Sequence, residues 1–169
     1  MTESAGPGSS GSTVPTLCEW AGGIEALERL TKRFYEAVPN DPLLGPVFAH
    51  MSPDHARHVA WFLAEVLGGP AKYSTEAAGA ENPHARMIAH HLARSLTHEQ
   101  RRRWVELLLA CADAVGLPDD PEFRSAFVAY LEWGTRIAVI NSQPGVPEPG
   151  PQPMPKWGWG VPGGPYLGG

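Results

Sequence analysis

Residues 83–115 read PHARMIAHHLARSLTHEQRRRWVELLLACADAV. The stretch holds two helical patterns and the histidine pair on which the fold assignment turns. Thr97-His98-Glu99-Gln100 matches a capping box, a threonine N-cap with glutamine three positions on, so a helix should open there. It should run to about Val115, with Trp104, Leu107, Leu108 and Cys111 inward, and end at Gly116-Leu117-Pro118. Ahead of it the pattern predicts a short helix over about Pro83–Leu92. There His91 follows Met87 and Ile88 by four and three positions and shares their apolar face. His90 falls between Arg86 and Arg94 on the charged side.

Helical patterns continue outward in both directions. Ile24, Leu27, Thr31, Tyr35 and Val38 recur on one face of a helix expected over about Gly22–Val38, with Leu30 and Phe34 at its edge. Pro39-Asn40-Asp41-Pro42 ends it, and a short helical turn over Leu43–Phe48 follows. Ser52-Pro53-Asp54 is a good helix start, and that helix should run to about Leu67 and stop at Gly68-Gly69-Pro70. Its inward face is His55, Val59, Phe62 and Val66. Residues 71–82 read as a loop. Asp120-Pro121-Glu122 opens a last helix with Phe123, Phe127, Tyr130, Leu131, Gly134, Ile137 and Ala138 at core spacing. The expected fold class is therefore all-α.

The 169 residues give room for one domain with a real core. Nineteen glycines and eighteen prolines exceed what a packed domain uses, and they gather at the two ends. Residues 1–15 are expected to be a flexible arm, 16–142 the folded domain, and 143–169 a Pro/Gly/Trp-rich tail. Trp157, Trp159 and Tyr166 are unusual in a solvated tail and leave docking on the domain open. A formal charge of −5 offers no basic footprint for nucleic acid, and Arg101-Arg102-Arg103 reads as a solvated face rather than a phosphate site. No apolar run approaches the roughly 20 residues that span a bilayer. The N-terminus lacks a signal-peptide pattern. Cys18 and Cys111 read as reduced thiols, and together these features point to the cytoplasm.

Seven histidines invite a metal or cofactor reading. Taken alone, an inward His91 is more often a core residue with satisfied nitrogens than a ligand. His55 and His58 form HxxH, which lacks the acid of HExxH and is a weak metal motif. Glu81 and His84 make an ExxH, but they flank a loop and Pro83, against a di-iron bundle. His50 and His98 should be exposed. Tyr35 and Trp104 taken singly read as core aromatics.

The ordered set is more specific than its members. Phe34-Tyr35, Asp41-Pro42-Leu43-Leu44 with Phe48, His55, His58-Val59, Phe62, Gly68-Gly69-Pro70 with Tyr73, then His91, Trp104, Tyr130-Leu131-Glu132 and Asn141-Ser142 follow in order. Over about residues 20–143 this resembles the group II truncated haemoglobins of bacteria, especially the actinobacterial kind with a Pro/Trp-rich tail. The resemblance implies a truncated-globin two-over-two helical sandwich that holds haem b iron. It makes His91 the proximal iron ligand and Phe48, Val59, Phe62, Tyr73, Met87 and Trp104 the haem pocket. Tyr35, His55 and Trp104 become the groups that stabilise a bound ligand. A histidine at position 55 departs from the small residue usual in this group; it could bond the ligand or gate its entry. His58 and Arg86 are further candidates for a haem propionate.

The resemblance further implies reversible binding of dioxygen, nitric oxide or other small diatomic ligands. Three donors around the ligand favour tight oxygen binding, hence ligand chemistry such as nitric oxide dioxygenation or peroxide use over oxygen transport. The chain has no flavin or nicotinamide domain, so such turnover needs an external reductase. Homodimer formation is left open. A haem-free helical interaction module working through Trp157-Gly158-Trp159 is the alternative, and a non-haem metal site on His55 and His58 is a third reading.

Overall fold

Capping chemistry sets where the helices begin. In the computed structural model, which describes residues 13–77, 82–160 and 165–166, the Thr16 side chain accepts the Glu19 N–H and opens α1, Leu17–Ala21. Thr97 Oγ1 accepts the Gln100 N–H at 3.1 Å while Gln100 Oε1 accepts the Thr97 N–H at 3.0 Å. This is the full capping box, and it starts α5, His98–Ala114. Asp120 Oδ1 accepts the Phe123 N–H at 2.8 Å at the head of α6, Pro121–Asn141. Between them lie α2, Ile24–Ala37, α3, His55–Val66, and α4, Pro83–Ala89. No strand occurs among the described residues.

The helices form two pairs, α2 with α3 and α5 with α6, and the pairs meet where α2 packs on α5. This is the expected two-over-two sandwich. Its core is Leu27, Leu30 and Phe34 of α2, Leu63 and Val66 of α3, Leu108 and Ala112 of α5, and Phe123, Phe127 and Leu131 of α6, all buried. These are the 3.6-period positions read from the sequence. Gly69 ends α3 at a close approach: a Cβ there would lie 2.6 Å from Cys18 Sγ and 2.8 Å from the Ala64 carbonyl. Only glycine lets α1 sit against the end of α3.

Several elements differ from expectation. α1 was not foreseen, because five residues are too few for a periodic pattern. Residues 73–77, expected as loop, form a π-helical turn. Buried Glu65 holds it by accepting the Ser74 N–H at 2.9 Å and the Ser74 hydroxyl at 2.5 Å. α4 closes at Ala89, so His91 sits just past the helix, its N–H on the Ile88 carbonyl at 2.9 Å. The arginine run is not one solvated face. Arg101 is buried and pairs with Glu132 at 3.1 Å, Arg103 pairs with Asp41 at 2.6 Å, and Arg102 alone is exposed. Of the N-terminal arm, residues 1–12 lie outside the described residues.

The tail docks. The Trp157 backbone N–H donates to the Val66 carbonyl at 2.9 Å and its indole to the Ala126 carbonyl at 3.1 Å. The Trp159 indole donates to the Pro15 carbonyl at 2.8 Å, and its ring meets Trp20 edge-on at 5.8 Å. The tryptophans bury apolar area and place each N–H on a carbonyl, the usual arrangement for this side chain. Both cysteines are free and buried, and burial pushes the Cys18 thiol up to about 11. No helix among the described residues is long and apolar enough to cross a membrane.

Asp120 serves two elements, since its Oδ2 also accepts the Trp20 indole N–H at 2.8 Å. Losing the cap and this charge-assisted bond should cost about 2 kcal/mol. The expected outcome for Asp120→Ala is a lower urea midpoint with an unchanged denaturant slope; an unmoved midpoint contradicts the two-element role.

Candidate cofactor and ligand site

Asp41 builds one wall of the site. Its Oδ1 accepts the Leu43 and Leu44 N–H groups at 3.0 and 2.9 Å, and its Oδ2 takes Arg103 Nε. That Asx turn leads into the 3-10 turn Gly45–Phe48 and ties it to α5 one residue before Trp104. The Arg103 guanidinium holds the Asp41 carboxyl below the usual carboxylate range. Phe34, fully buried on α2, meets Tyr35 edge-on at 4.8 Å and Trp104 at 5.2 Å. Tyr35 in turn meets Phe48 at 5.5 Å.

These elements enclose a cavity of about 790 Å³. Cofactor and ligand sites run from about 300 to 1,000 Å³. Tyr35, Phe48, His55, Val59, Phe62, Tyr73, Met87, His91 and Trp104 all line it, so every site residue named from the sequence faces one space. His58 and Arg86 line it too, with His90 and Arg94. Phe62 and Tyr73 form an edge-on pair at 5.1 Å, set by the Glu65–Ser74 bonds one residue on.

Three of the polar groups inside bond to one another. The Tyr35 hydroxyl lies 3.0 Å from His55 Nε2 and is hydrogen-bonded to the Trp104 side chain. Because indole can only donate, Trp104 gives its N–H to the phenol oxygen. Burial raises the Tyr35 phenol well above its ordinary range, so it stays protonated at any relevant pH. Burial, then the charges of His90, Arg94, His91 and His58, pulls His55 down to about 4. His55 is therefore neutral near pH 7.

His91 is also neutral. Burial takes it down to about 4 against a hydrogen bond to the Met87 backbone. A neutral imidazole whose one N–H is held by a carbonyl keeps a lone pair on its other nitrogen, which is what a metal ligand requires.

The other histidine readings separate. His55 is engaged with Tyr35, and His58 lies tilted over Trp61 at 5.7 Å, so HxxH is not a metal site. No group of three His, Cys, Asp or Glu residues able to hold a metal occurs among the described residues. His50 and His98 are exposed as expected. Sequence reasoning gave His84 no part in the site; it is buried, stacks on Phe62 at 6.3 Å and lines the cavity. Tyr130, Trp133 and Gly134 line it as well, although the helical pattern read Tyr130 and Gly134 as core. Only assembly could show this, because an inward residue looks the same beside a cavity or a neighbour.

An all-helical sandwich that gathers a neutral, half-buried histidine and a hydrogen-bonded aromatic cluster around one largely apolar cavity is a cofactor-holding helical protein. The model of bacterial-like globins matches residues 16–133. Group 2 truncated hemoglobin YjbI of Bacillus subtilis (strain 168) is 34% identical over 121 residues, covering 72% of this chain and 86% of that protein. The crystal structure of the group II truncated hemoglobin from Bacillus anthracis superposes with a TM-score of 0.66 at 26% identity, over 76% of this chain and 93% of that one. The truncated oxygen-avid haemoglobin from Bacillus subtilis gives 0.62 at 32% identity, over 74% and 99%. The chain belongs to the bacterial-like globins.

The depressed His55 has a consequence for stability. The unfolded chain takes up its proton near 6.5 and the folded chain only near 4, so between these values each step down in pH favours unfolding. For cofactor-free protein, wild type should lose about 1–3 kcal/mol more than His55→Phe between pH 6.5 and 4. Urea unfolding across that range measures it, and parallel profiles for the two proteins would contradict the buried neutral histidine.

Proposed function

We propose that this globin holds haem b in the cavity, with His91 as the proximal iron ligand, and binds dioxygen and related diatomic ligands beside Tyr35, His55 and Trp104. The observation that carries the reading is the common cavity: a neutral histidine lone pair and a donor cluster share one largely apolar space. The donor set fits the cofactor. Phe48, Val59, Phe62 and Met87 offer apolar walls for a flat ring, Tyr73 and Trp104 add aromatic edges, and Arg86, Arg94 and His58 offer cationic or donor groups to its carboxylates. When bound, haem would be held through His91 and would supply an iron centre able to bind a diatomic ligand.

The chain's own part is to hold protons where that ligand needs them. Tyr35 has two lone pairs and one proton. Trp104 N–H occupies one lone pair. If His55 carries its proton on Nε2, it fills the other, and the Tyr35 O–H is free to donate to a ligand. With the proton on Nδ1, Tyr35 donates to His55 instead. The tautomer of His55 therefore switches the direction of the Tyr35 proton, at the 3.0 Å contact already made. In a water-poor pocket each such donor counts more than in solvent, and a polar ligand gains more than carbon monoxide. The relative described as oxygen-avid is consistent with slow oxygen release here. Cytoplasmic location and supply of electrons by a separate reductase belong to the same reading.

The test is the visible spectrum of purified protein with added hemin, beside His91→Ala. A sharp Soret band that shifts with carbon monoxide and is lost or altered in the variant supports the assignment; absence of specific hemin binding by wild type overturns it. For the distal side, Tyr35→Phe and Trp104→Phe should each speed oxygen release, about tenfold where one donor bond of about 1.4 kcal/mol is lost. Stopped-flow release rates unchanged in both variants would remove these residues from ligand stabilisation.

A further inference from the structure

The segment bearing His91 is weakly fixed by its own local structure. α4 is seven residues long, and its N-cap Asn82 sits at φ 49° without a side-chain cap bond. Ala93 and Ser95, just past His91, lie at φ 58° and 50°. So short a helix does not hold itself in water. Non-glycine residues in the left-handed region persist only where their surroundings impose it.

The contacts that impose it come from far along the chain. After His91, the Ser95 N–H donates to the Ser142 carbonyl at 2.7 Å and the Leu96 N–H to Ser142 Oγ at 2.9 Å. The Gln143 side chain donates to the Leu96 carbonyl at 3.0 Å. Before His91, the buried His84 ring stacks on Phe62 and lies against the Pro153 backbone. His84 Nδ1 is buried without a hydrogen-bond partner. Trp157, four residues past Pro153, fixes this stretch: it is bonded to Val66 and Ala126 and packs against Tyr130 at 5.6 Å and Trp133 at 5.8 Å. Thus the first residues beyond α6 grip one side of the His91 segment and the docked tail grips the other.

We propose that residues 142–159 form a strap that sets the position of α4, with His84 as the positioning residue through which the tail orients His91 toward the cofactor. This rests on the haem reading above. The strap acts as outer partners of metal-bound histidines do, by fixing the ring's place rather than by touching the metal.

The test uses full-length protein loaded with hemin. Trp157→Ala releases the tail, and His84→Phe removes the polar edge that faces Pro153 while keeping a ring against Phe62. Trp159→Ala is the control, because Trp159 ties the chain only to Pro15 and Trp20, away from α4. Both strap variants should lose hemin to an acceptor globin about tenfold faster or more. Both should also shift the iron–histidine stretching band of the ferrous form in resonance Raman, whereas Trp159→Ala should leave that band in place. Hemin loss within about twofold of wild type and an unmoved band in His84→Phe overturn the proposal. An equal shift in Trp159→Ala also overturns it, by showing general loosening. Should Trp157→Ala not fold, His84→Phe decides alone. Wild type that binds no hemin overturns the functional reading, and the strap with it.

Discussion

Phe34 is the point on which the two helix pairs and the site both depend. Its ring is fully buried on α2, the helix that packs on α3 and on α5. Within reach are Tyr35 on its own helix and Trp104 on α5, both edge-on. Edge-to-face aromatic contacts add about 0.5–1.5 kcal/mol to the area they bury, and they are directional. The same ring that joins the two halves of the sandwich therefore sets the angle at which Tyr35 and Trp104 enter the cavity. Packing and function are not separate layers here.

The polar groups follow from that placement. A phenol, an indole and an imidazole partly withdrawn from water must bond something, and here they bond one another. Mutual satisfaction makes the cluster affordable and also holds it poised, because a ligand must compete with an existing bond or take the one proton left over. Arg101 meets the same rule only in part nearby, since its Nε has no partner. Its buried guanidinium is accepted by Glu132, which lies on α6 next to the cavity-lining Leu131 and Trp133.

How much was legible in the sequence depends on how local each cause is. The capping box at Thr97 and the Asp120 cap are written in four residues each, and both helices start where those residues say. The apolar stripe of α2 and the approach of His91, Tyr35 and Trp104 were also readable, the last only through the order of the whole set, since each residue alone fits an ordinary core. The burial of Arg101 was hidden because its partner is 31 positions away. The turn at Tyr73 was missed because its support is an acid, Glu65, on another element. The tryptophans of the tail announced that it would touch something, and nothing in their neighbourhood said what.

Those misses share a cause that bears on how the fold works. Local propensity carries α2, α3, α5 and α6, the long helices with caps or stripes. It does not carry the segment that bears His91, whose seven-residue helix and three left-handed residues have little intrinsic reason to stay. Under the proposed haem reading, His91 sits on the part of the chain least able to place itself. The contacts that reach it are tertiary, from Phe62 on one helix and from Ser142 at the end of another. A segment held only from outside can be adjusted by changing what holds it, while the helices that form the core keep their own register.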